Sequence, residues 1–320
     1  MKEQKTAFVF PGQGAQYPKM GQDFYENFTQ AREVFEEAND VLGRDLSGLI
    51  FSASKEELAQ TQNSQTSIFV VSAAILSVVE NQFPKIVPSV CAGLSLGEYT
   101  ALYASKRIDF ASCLDLVDAR GCYMNEACLE NPGSMAVVMG LSSEHIDSLI
   151  QDLALSDSLW QSNFNAPGQI VLSGTLEALA KAKGYFLENG AKRFIPLSVQ
   201  GAFHSPLMLP AKLKLKEKIE QTQFLESSVG IVMNASAKYE TDTTLKKRLV
   251  QQLDHPVFWE KSVREMDNTS LSAFVEIGCA KTLKGLSKRM NLKAAFINIE
   301  TIDDLDQLAA KDKEIVVSNV

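Results

Sequence analysis

Gly93-Leu94-Ser95-Leu96-Gly97 falls between a short apolar strand over 89–92 and a helix over 98–104. That context is what makes a G-x-S-x-G match a nucleophile elbow, a turn so tight that its flanking positions tolerate little side chain. The turn lifts the central hydroxyl above a sheet edge and puts a helix N-terminus behind it, where negative charge is stabilised. A strand–turn–helix unit of this kind implies an α/β sheet. A chance tight turn is the plainer alternative, and other parts of the chain have to decide against it.

The remaining pattern supports the α/β reading and adds an interruption. A strand over 6–10 is broken by Pro11-Gly12, and Phe24, Phe28, Ala31, Phe35 and Ala38 recur at helical spacing. An apolar helix begins at Ile68, after a polar segment around 60–66, and another helix runs over 111–128. The middle of the chain reads strand 135–139, helix 143–153, strands 159–164 and 170–173, helix 175–189, strand 193–197. This βαββαβ order is the split unit of ferredoxin-like modules. Alternation then resumes with a lysine-rich helix 209–223, strand 229–234, helix 245–253, strand 274–277 and a helix from about 281. The expected architecture is a hydrolase-like parallel-sheet domain, 1–127 and 199–320, interrupted by a ferredoxin-like subdomain, 128–198.

Composition narrows the function. With 31 Lys+Arg against 39 Asp+Glu, the net charge of −8 gives no positive field to hold nucleic acid. The longest apolar run, 68–79, is twelve residues with two serines, short of the ~20 a membrane-spanning helix needs. The block 7–10 is too short for a secretory signal. Cys91, Cys113, Cys122, Cys128 and Cys279 form no CxxC and no even framework, which predicts reduced thiols in a cytoplasmic protein. His145, His204 and His255 lie too far apart for metal-ligand spacing, so no metal is expected.

A serine nucleophile needs a base and an oxyanion hole. Phe10-Pro11-Gly12-Gln13-Gly14 is neither a dinucleotide fingerprint, because Tyr17 stands where a third glycine is due, nor a P-loop. It is either a plain glycine-rich turn or a loop offering the Gln13 N–H to an oxyanion, with Leu96 N–H as the second donor. His145 sits among Ser143, Glu144 and Asp147 and reads as surface. His204, after a strand and before Ser205-Pro206, is a better base than His255, but the residues alone leave both open. Arg120 falls at the edge of an apolar helix face beside Cys113, Val117 and Met124, and a buried guanidinium needs an anion. That anion is either Glu98, in an internal ion pair, or a substrate carboxylate held by two parallel hydrogen bonds. Gly121 beside it would admit a neighbouring backbone. Lys281, Lys284, Lys288 and Arg289 suggest a basic helical stripe, either a solvated face or a dock for an acidic partner or phosphate-bearing cofactor.

Taken together these residues resemble the bacterial malonyl-CoA:acyl-carrier-protein transacylase family. The resemblance extends from Phe8-Val9-Phe10-Pro11-Gly12-Gln13-Gly14 to Gly285-Leu286-Ser287-Lys288-Arg289. Between them lie Gly93 to Tyr99, Arg120-Gly121, Asn163-Phe164-Asn165-Ala166-Pro167-Gly168-Gln169, Gly190 to Arg193, Phe203-His204-Ser205, and Gln252-Leu253 ahead of Pro256-Val257-Phe258-Trp259. It implies Ser95 as nucleophile, His204 as base, the N–H groups of Gln13 and Leu96 as oxyanion hole, and the Gln252 main-chain carbonyl in place of a triad acid. It implies Arg120 as clamp for the malonyl carboxylate, Phe203 as the ring that crowds a branched α-carbon, and Asn163 and Asn165 among the substrate-binding residues. It further implies ping-pong transfer of malonyl from malonyl-CoA to the phosphopantetheine thiol of acyl carrier protein, a transient partner, with no permanently bound cofactor. Two positions depart from the family: Leu94 stands where most members have His, and the late Gly-Pro-Gly turn reads Gly278-Cys279-Ala280. The first predicts a change in pocket polarity, the second an altered loop with an adventitious thiol near the site. A serine esterase or thioesterase on the same architecture, a polyketide-pathway acyltransferase and a non-enzymatic carrier-binding scaffold are the competing readings.

Overall fold

The strand over Thr6–Phe10 (β1) is fully buried along its length, as expected of a parallel strand covered on both faces. A computed structural model, which describes residues 5–318, places it at the centre of a six-stranded sheet. The strands in chain order are β1, β2 (Pro88–Gly93), β3 (Ser134–Met139), β4 (Leu159–Ala166), β5 (Gln169–Gly174), β6 (Arg193–Pro196), β7 (Gly230–Met233), β8 (Lys238–Tyr239), β9 (Ala273–Ile277) and β10 (Ala295–Ile299). The large sheet runs β10-β9-β1-β2-β7-β8, parallel except for β8. From β1 the chain goes to β2 on one side and later fills β9 on the other, so the carboxyl end of β1 is a topological switch point, where α/β sheets form their crevice. The register Phe10↔Gly93 sets Pro11-Gly12-Gln13 directly beside Leu94-Ser95-Leu96.

The second sheet, β4-β5-β3-β6, is antiparallel and carries the helices Ser143–Asp152 and Leu176–Glu188. The fold is therefore a parallel-sheet α/β domain with an inserted ferredoxin-like unit, as the βαββαβ order implied. The loop before the helix Trp259–Asp267 is joined to the edge of the second sheet: Phe164 N–H donates to Val257 O at 2.8 Å and Val257 N–H to Ser162 O at 2.9 Å.

Two long helices carry polar residues into the core. The helix over Thr61–Gln82 starts a full two turns before the apolar run, and Ser64, Gln65, Thr66 and Ser67 are all buried. At 22 residues it is the one described helix long and apolar enough to cross a membrane, yet 83% of its apolar window is buried inside the protein. It packs on the helix over Phe110–Glu130, whose N-terminus is capped by Asp109 accepting from Ser112 N–H at 2.8 Å. The crossing is close because Gly121 has no side chain: a Cβ there would stand 2.7 Å from Gln62 Cα. That approach brings Arg120 beside Gln65.

The sequence reading missed the edge strands β8 and β10 and the helices Leu46–Ser52, Trp259–Asp267 and Leu305–Ser318. The basic stripe needs correction. Its helix, Thr282–Ser287, is only six residues, so Lys288 and Arg289 lie past its end and the four cations share no helical face. Lys281 instead points at Glu300 and Asp304, 3.8 Å from each. At the late turn the backbone turns left-handed at an alanine. Ala280 takes φ +61° with its N–H on Glu300 Oε1 at 3.0 Å and its carbonyl accepting from Asn298 Nδ2 at 2.9 Å. A left-handed alanine costs about 1–2 kcal/mol, and glycine gives back roughly half of that in unfolded-chain entropy. Ala280→Gly is therefore expected to stabilise the protein by about 0.5–1 kcal/mol, read as a higher urea midpoint; a lower midpoint would refute the strain.

Candidate active site

The elbow is as tight as its glycines imply. A Cβ on Gly93 would overlap the Gly97 carbonyl carbon, and one on Gly97 would overlap Phe10 O. Ser95 itself sits at φ +54°, a strained conformation held by its surroundings. Asn234, at the end of β7, is one of the groups that hold it: its Oδ1 accepts from Ser95 N–H and its Nδ2 donates to Gly93 O, both at 2.7 Å. Leu94 N–H donates to Phe10 O at 3.0 Å, which ties the elbow to the β1 loop.

Of the two candidate bases, one lies against Ser95. His204 Nε2 lies 2.7 Å from Ser95 Oγ, and its Nδ1 lies 2.7 Å from the Gln252 main-chain oxygen. A carbonyl can only accept, so Nδ1 carries the hydrogen and Nε2 is left to receive the serine proton. Burial, and then the Arg120 charge, push the imidazole down to about 4, so it is neutral at physiological pH. His204 also has a left-handed backbone, φ +56°, and its loop is pinned where Ser173 Oγ donates to Phe203 O and Ser205 Oγ to Ala202 O, each at 2.6 Å. His255 is half-exposed and bonds Asp254 at 2.6 Å; His145 is exposed. Neither contacts Ser95.

Arg120 is 1% exposed, and the internal ion pair with Glu98 does not form. Its partners are all neutral: Nη1 donates to Gln65 Oε1 at 2.5 Å, and Nη2 to Ser95 Oγ at 3.1 Å and Gln252 Oε1 at 3.0 Å. Its Nε is buried without a hydrogen-bond partner. Burial lowers the pKa of this guanidinium from its usual value, and because its hydrogen-bond partners are neutral an arriving carboxylate would meet a cation with no anion against it. It reaches Ser95 Oγ without lining the cleft beside it.

That cleft, of about 570 Å³, is walled by Met124, Met135, Val171, Leu197, Val199 and Phe203, with Leu94, Gln13, Ser95 and His204 also lining it. Asn163 and Asn165 line it too, and the side-chain oxygen of each is buried with no hydrogen-bond donor. The N–H groups of Gln13 and Leu96 make no hydrogen bond among the described residues. A second cleft, about 800 Å³, is lined by Lys192, Arg193 and Arg289 with no acidic residue.

Residues 7–292 match the acyl transferase domain family. The malonyl CoA-acyl carrier protein transacylase of Bacillus subtilis is 39% identical over 304 residues, 93% of this chain and 95% of that protein. This chain belongs to the malonyl CoA-acyl carrier protein transacylase family. The family member from Clostridium perfringens superposes with a TM-score of 0.91 at 33% identity, covering 98% and 99% of the two chains. A malonyl-transacylase solved in complex with its type II PKS acyl-carrier protein gives 0.89 at 36% identity, covering 94% and 97%.

Against the family pattern, Leu94 puts an aliphatic side chain on the cleft, and Cys279 is not the adventitious thiol expected near it. Cys279 is 1% exposed, does not line the cleft, and burial raises its pKa. Three residues escaped the sequence reading. Gln65 lies in the polar segment ahead of the apolar helix, and Asn234 at a strand end with no motif around it. The side chain of Gln252 was overlooked because only its carbonyl was expected to act. Gln65 and Asn234 each stand within three residues of an apolar run, a signal that does not separate a buried polar side chain from a solvated one, and Gln252 has no such neighbour.

Proposed function

We propose that this protein transfers the malonyl group from malonyl-CoA to the phosphopantetheine thiol of acyl carrier protein, through a malonyl ester on Ser95, in support of fatty acid synthesis. The observation that carries this reading is a buried guanidinium with only neutral partners, 3.1 Å from the serine oxygen that faces a histidine base. In a malonyl thioester the carboxylate carbon is about 2.5 Å from the reacting carbonyl carbon, so a cation adjacent to Oγ matches a short diacid.

The residues act as follows. His204 takes the Ser95 proton as Oγ attacks the thioester carbonyl, and the Gln252 carbonyl steadies the imidazolium. The tetrahedral oxygen takes the N–H groups of Gln13 and Leu96, a contribution of roughly 10²–10³ in rate per donor. Oγ gives up its bond to Arg120 on acylation, and the malonyl carboxylate takes that place on the guanidinium. CoA leaves with its thiol pKa of about 8.5 asking little acid help, and takes the proton from the His204 imidazolium, which restores the neutral base. The carrier thiol then gives its proton to His204 as it attacks the malonyl ester, and His204 returns that proton to Ser95 Oγ as it leaves. Asn163 and Asn165 offer their free oxygens to amide N–H groups of the pantetheine arm. Lys192, Arg193 and Arg289 offer charge to its phosphate. We assign the reaction to the cytoplasm, in keeping with five unpaired cysteines.

The test is incubation with malonyl-CoA and no acceptor, followed by intact-mass measurement. A malonyl adduct should accumulate and map to Ser95; turnover to free malonate without an adduct would favour a thioesterase. The likeness to a malonyl-transacylase that works with a type II PKS carrier favours, as second reading, a polyketide pathway. Transfer rates to carriers of the two kinds separate the pathways.

The depressed His204 pKa sets a pH prediction. Protonated His204 cannot accept the serine hydrogen, so adduct formation is lost as pH falls through about 4. The rate of adduct formation should hold level at pH values where an ordinary histidine, near 6.5, would already be half protonated. An acid limb centred near 6.5 would contradict the buried environment.

A further inference from the structure

Glu98, on the helix Gly97–Ala104, is fully buried yet has no hydrogen bond to the side chain of either Ser95 or His204. Its Oε1 accepts from Asn234 N–H at 2.5 Å and its Oε2 from Gln252 Nε2 at 2.8 Å. Burial raises the carboxyl to about 8 even with these donors and Arg120 working against it. Against that desolvation, both oxygens face donors and neither faces an acceptor for a carboxyl hydrogen, so the geometry favours the ionised form. The Gln252 amide is the pivot. Its Nε2 is also 2.8 Å from Ser95 O, and its Oε1 accepts from Arg120 Nη2 at 3.0 Å. An amide has one donating end and one accepting end, so fixing the first fixes the second. Turned the other way, Gln252 would set N–H against the guanidinium and oxygen against both Glu98 and Ser95 O. The amide also keeps the carboxylate one residue away from Arg120. A direct Glu–Arg pair would occupy the charge that an acyl carboxylate must find free.

We propose that Glu98 is a positioning residue for acyl selection: by accepting the Gln252 Nε2 hydrogen it turns the Gln252 side-chain oxygen onto Arg120, and so holds the guanidinium, still without an anion, beside Ser95. The inference rests on the malonyl-transfer reading and adds to it the residue that keeps the clamp in place. Glu98→Gln is nearly isosteric; the Asn234 N–H is fixed in the backbone and claims the new amide's oxygen, which leaves its NH2 against Gln252 Nε2 and forces the Gln252 amide to turn. Gln252→Met removes the link while leaving the main-chain carbonyl on His204.

Adduct formation on Ser95 is measured with malonyl-CoA and, in parallel, with acetyl-CoA, which has no carboxylate. Each single variant should lower the ratio of malonyl to acetyl rates by about 10–100-fold, whatever either does to the rate common to both donors, as expected where one or two charge-assisted hydrogen bonds are misplaced. The double variant should be no slower than Gln252→Met alone, because both act through one side chain. Equal losses with both donors, or losses that multiply in the double variant, would overturn the proposal. Should Glu98→Gln fail to fold, neutron diffraction of the wild-type protein decides: deuterium on the Gln252 atom facing Glu98 supports the proposal, and deuterium on the atom facing Arg120 overturns it. A wild-type protein that forms no malonyl adduct overturns the transfer reading and this inference together. A wild-type preference for malonyl that survives unchanged in Glu98→Gln overturns this inference alone.

Discussion

His204→Ala should slow malonylation of Ser95 on the order of 10⁴-fold, and the residual rate should rise about tenfold per pH unit. The size follows from the geometry. The Ser95 hydroxyl has a single acceptor, Nε2 at 2.7 Å, and its other partner, Arg120 Nη2, can only donate. With the imidazole gone no group in the site can take the proton, and hydroxide from solvent becomes the base, which produces the pH slope. The Arg120 contact survives the substitution and continues to stabilise the alkoxide, so the residue should remain measurable as a slow malonyl acceptor. Stopped-flow mixing with malonyl-CoA, read by intact mass, measures both quantities. A loss under tenfold, or a pH-independent remainder, would remove His204 from the proton path.

That prediction rests on a pairing that local sequence could narrow but not decide. Ser95 was legible because a strand, two glycines and a helix start leave one plausible shape for the chain, and Gly93 and Gly97 prove to be places where a Cβ would overlap backbone. The βαββαβ insertion was legible for a similar reason, since period and turn signals are local. His204 against His255 was not, because the choice depends on a left-handed residue in a loop and on a carbonyl 48 positions away. Gln65 and Asn234 were invisible because a polar residue at a helix start or strand end ordinarily meets water; only the packing of the helices Thr61–Gln82 and Phe110–Glu130 shows that Gln65 meets Arg120 instead. The basic stripe failed for the opposite reason: a helical period was read across residues where the helix had already ended. Periodicity carries elements well and their ends poorly. Family resemblance supplied the long-range pairings that periodicity cannot hold.

Arg120→Ala should cost about 10²-fold with malonyl-CoA and raise the relative rate with uncharged acyl-CoA donors. Truncating one partner of a buried charged pair costs about 2–5 kcal/mol, and each 1.4 kcal/mol is tenfold. In the variant a malonyl carboxylate would enter a space whose remaining polar neighbours, Gln65 Oε1 and Gln252 Oε1, are themselves acceptors. It would be desolvated against two oxygens, a repulsive arrangement, whereas an acetyl methyl has nothing to lose there. Water also gains, because an acyl group no longer held from its far end can turn toward a molecule approaching beside His204, so hydrolysis of the acyl-serine should rise. The same substitution removes a charge that lowers the His204 pKa, so the acid limb of adduct formation with an uncharged donor should move up toward neutral pH. Three readouts therefore move together: donor preference, adduct lifetime and acid limb. If donor preference stays with malonyl while the other two shift, the carboxylate is held elsewhere and Arg120 serves only to tune the serine and its base.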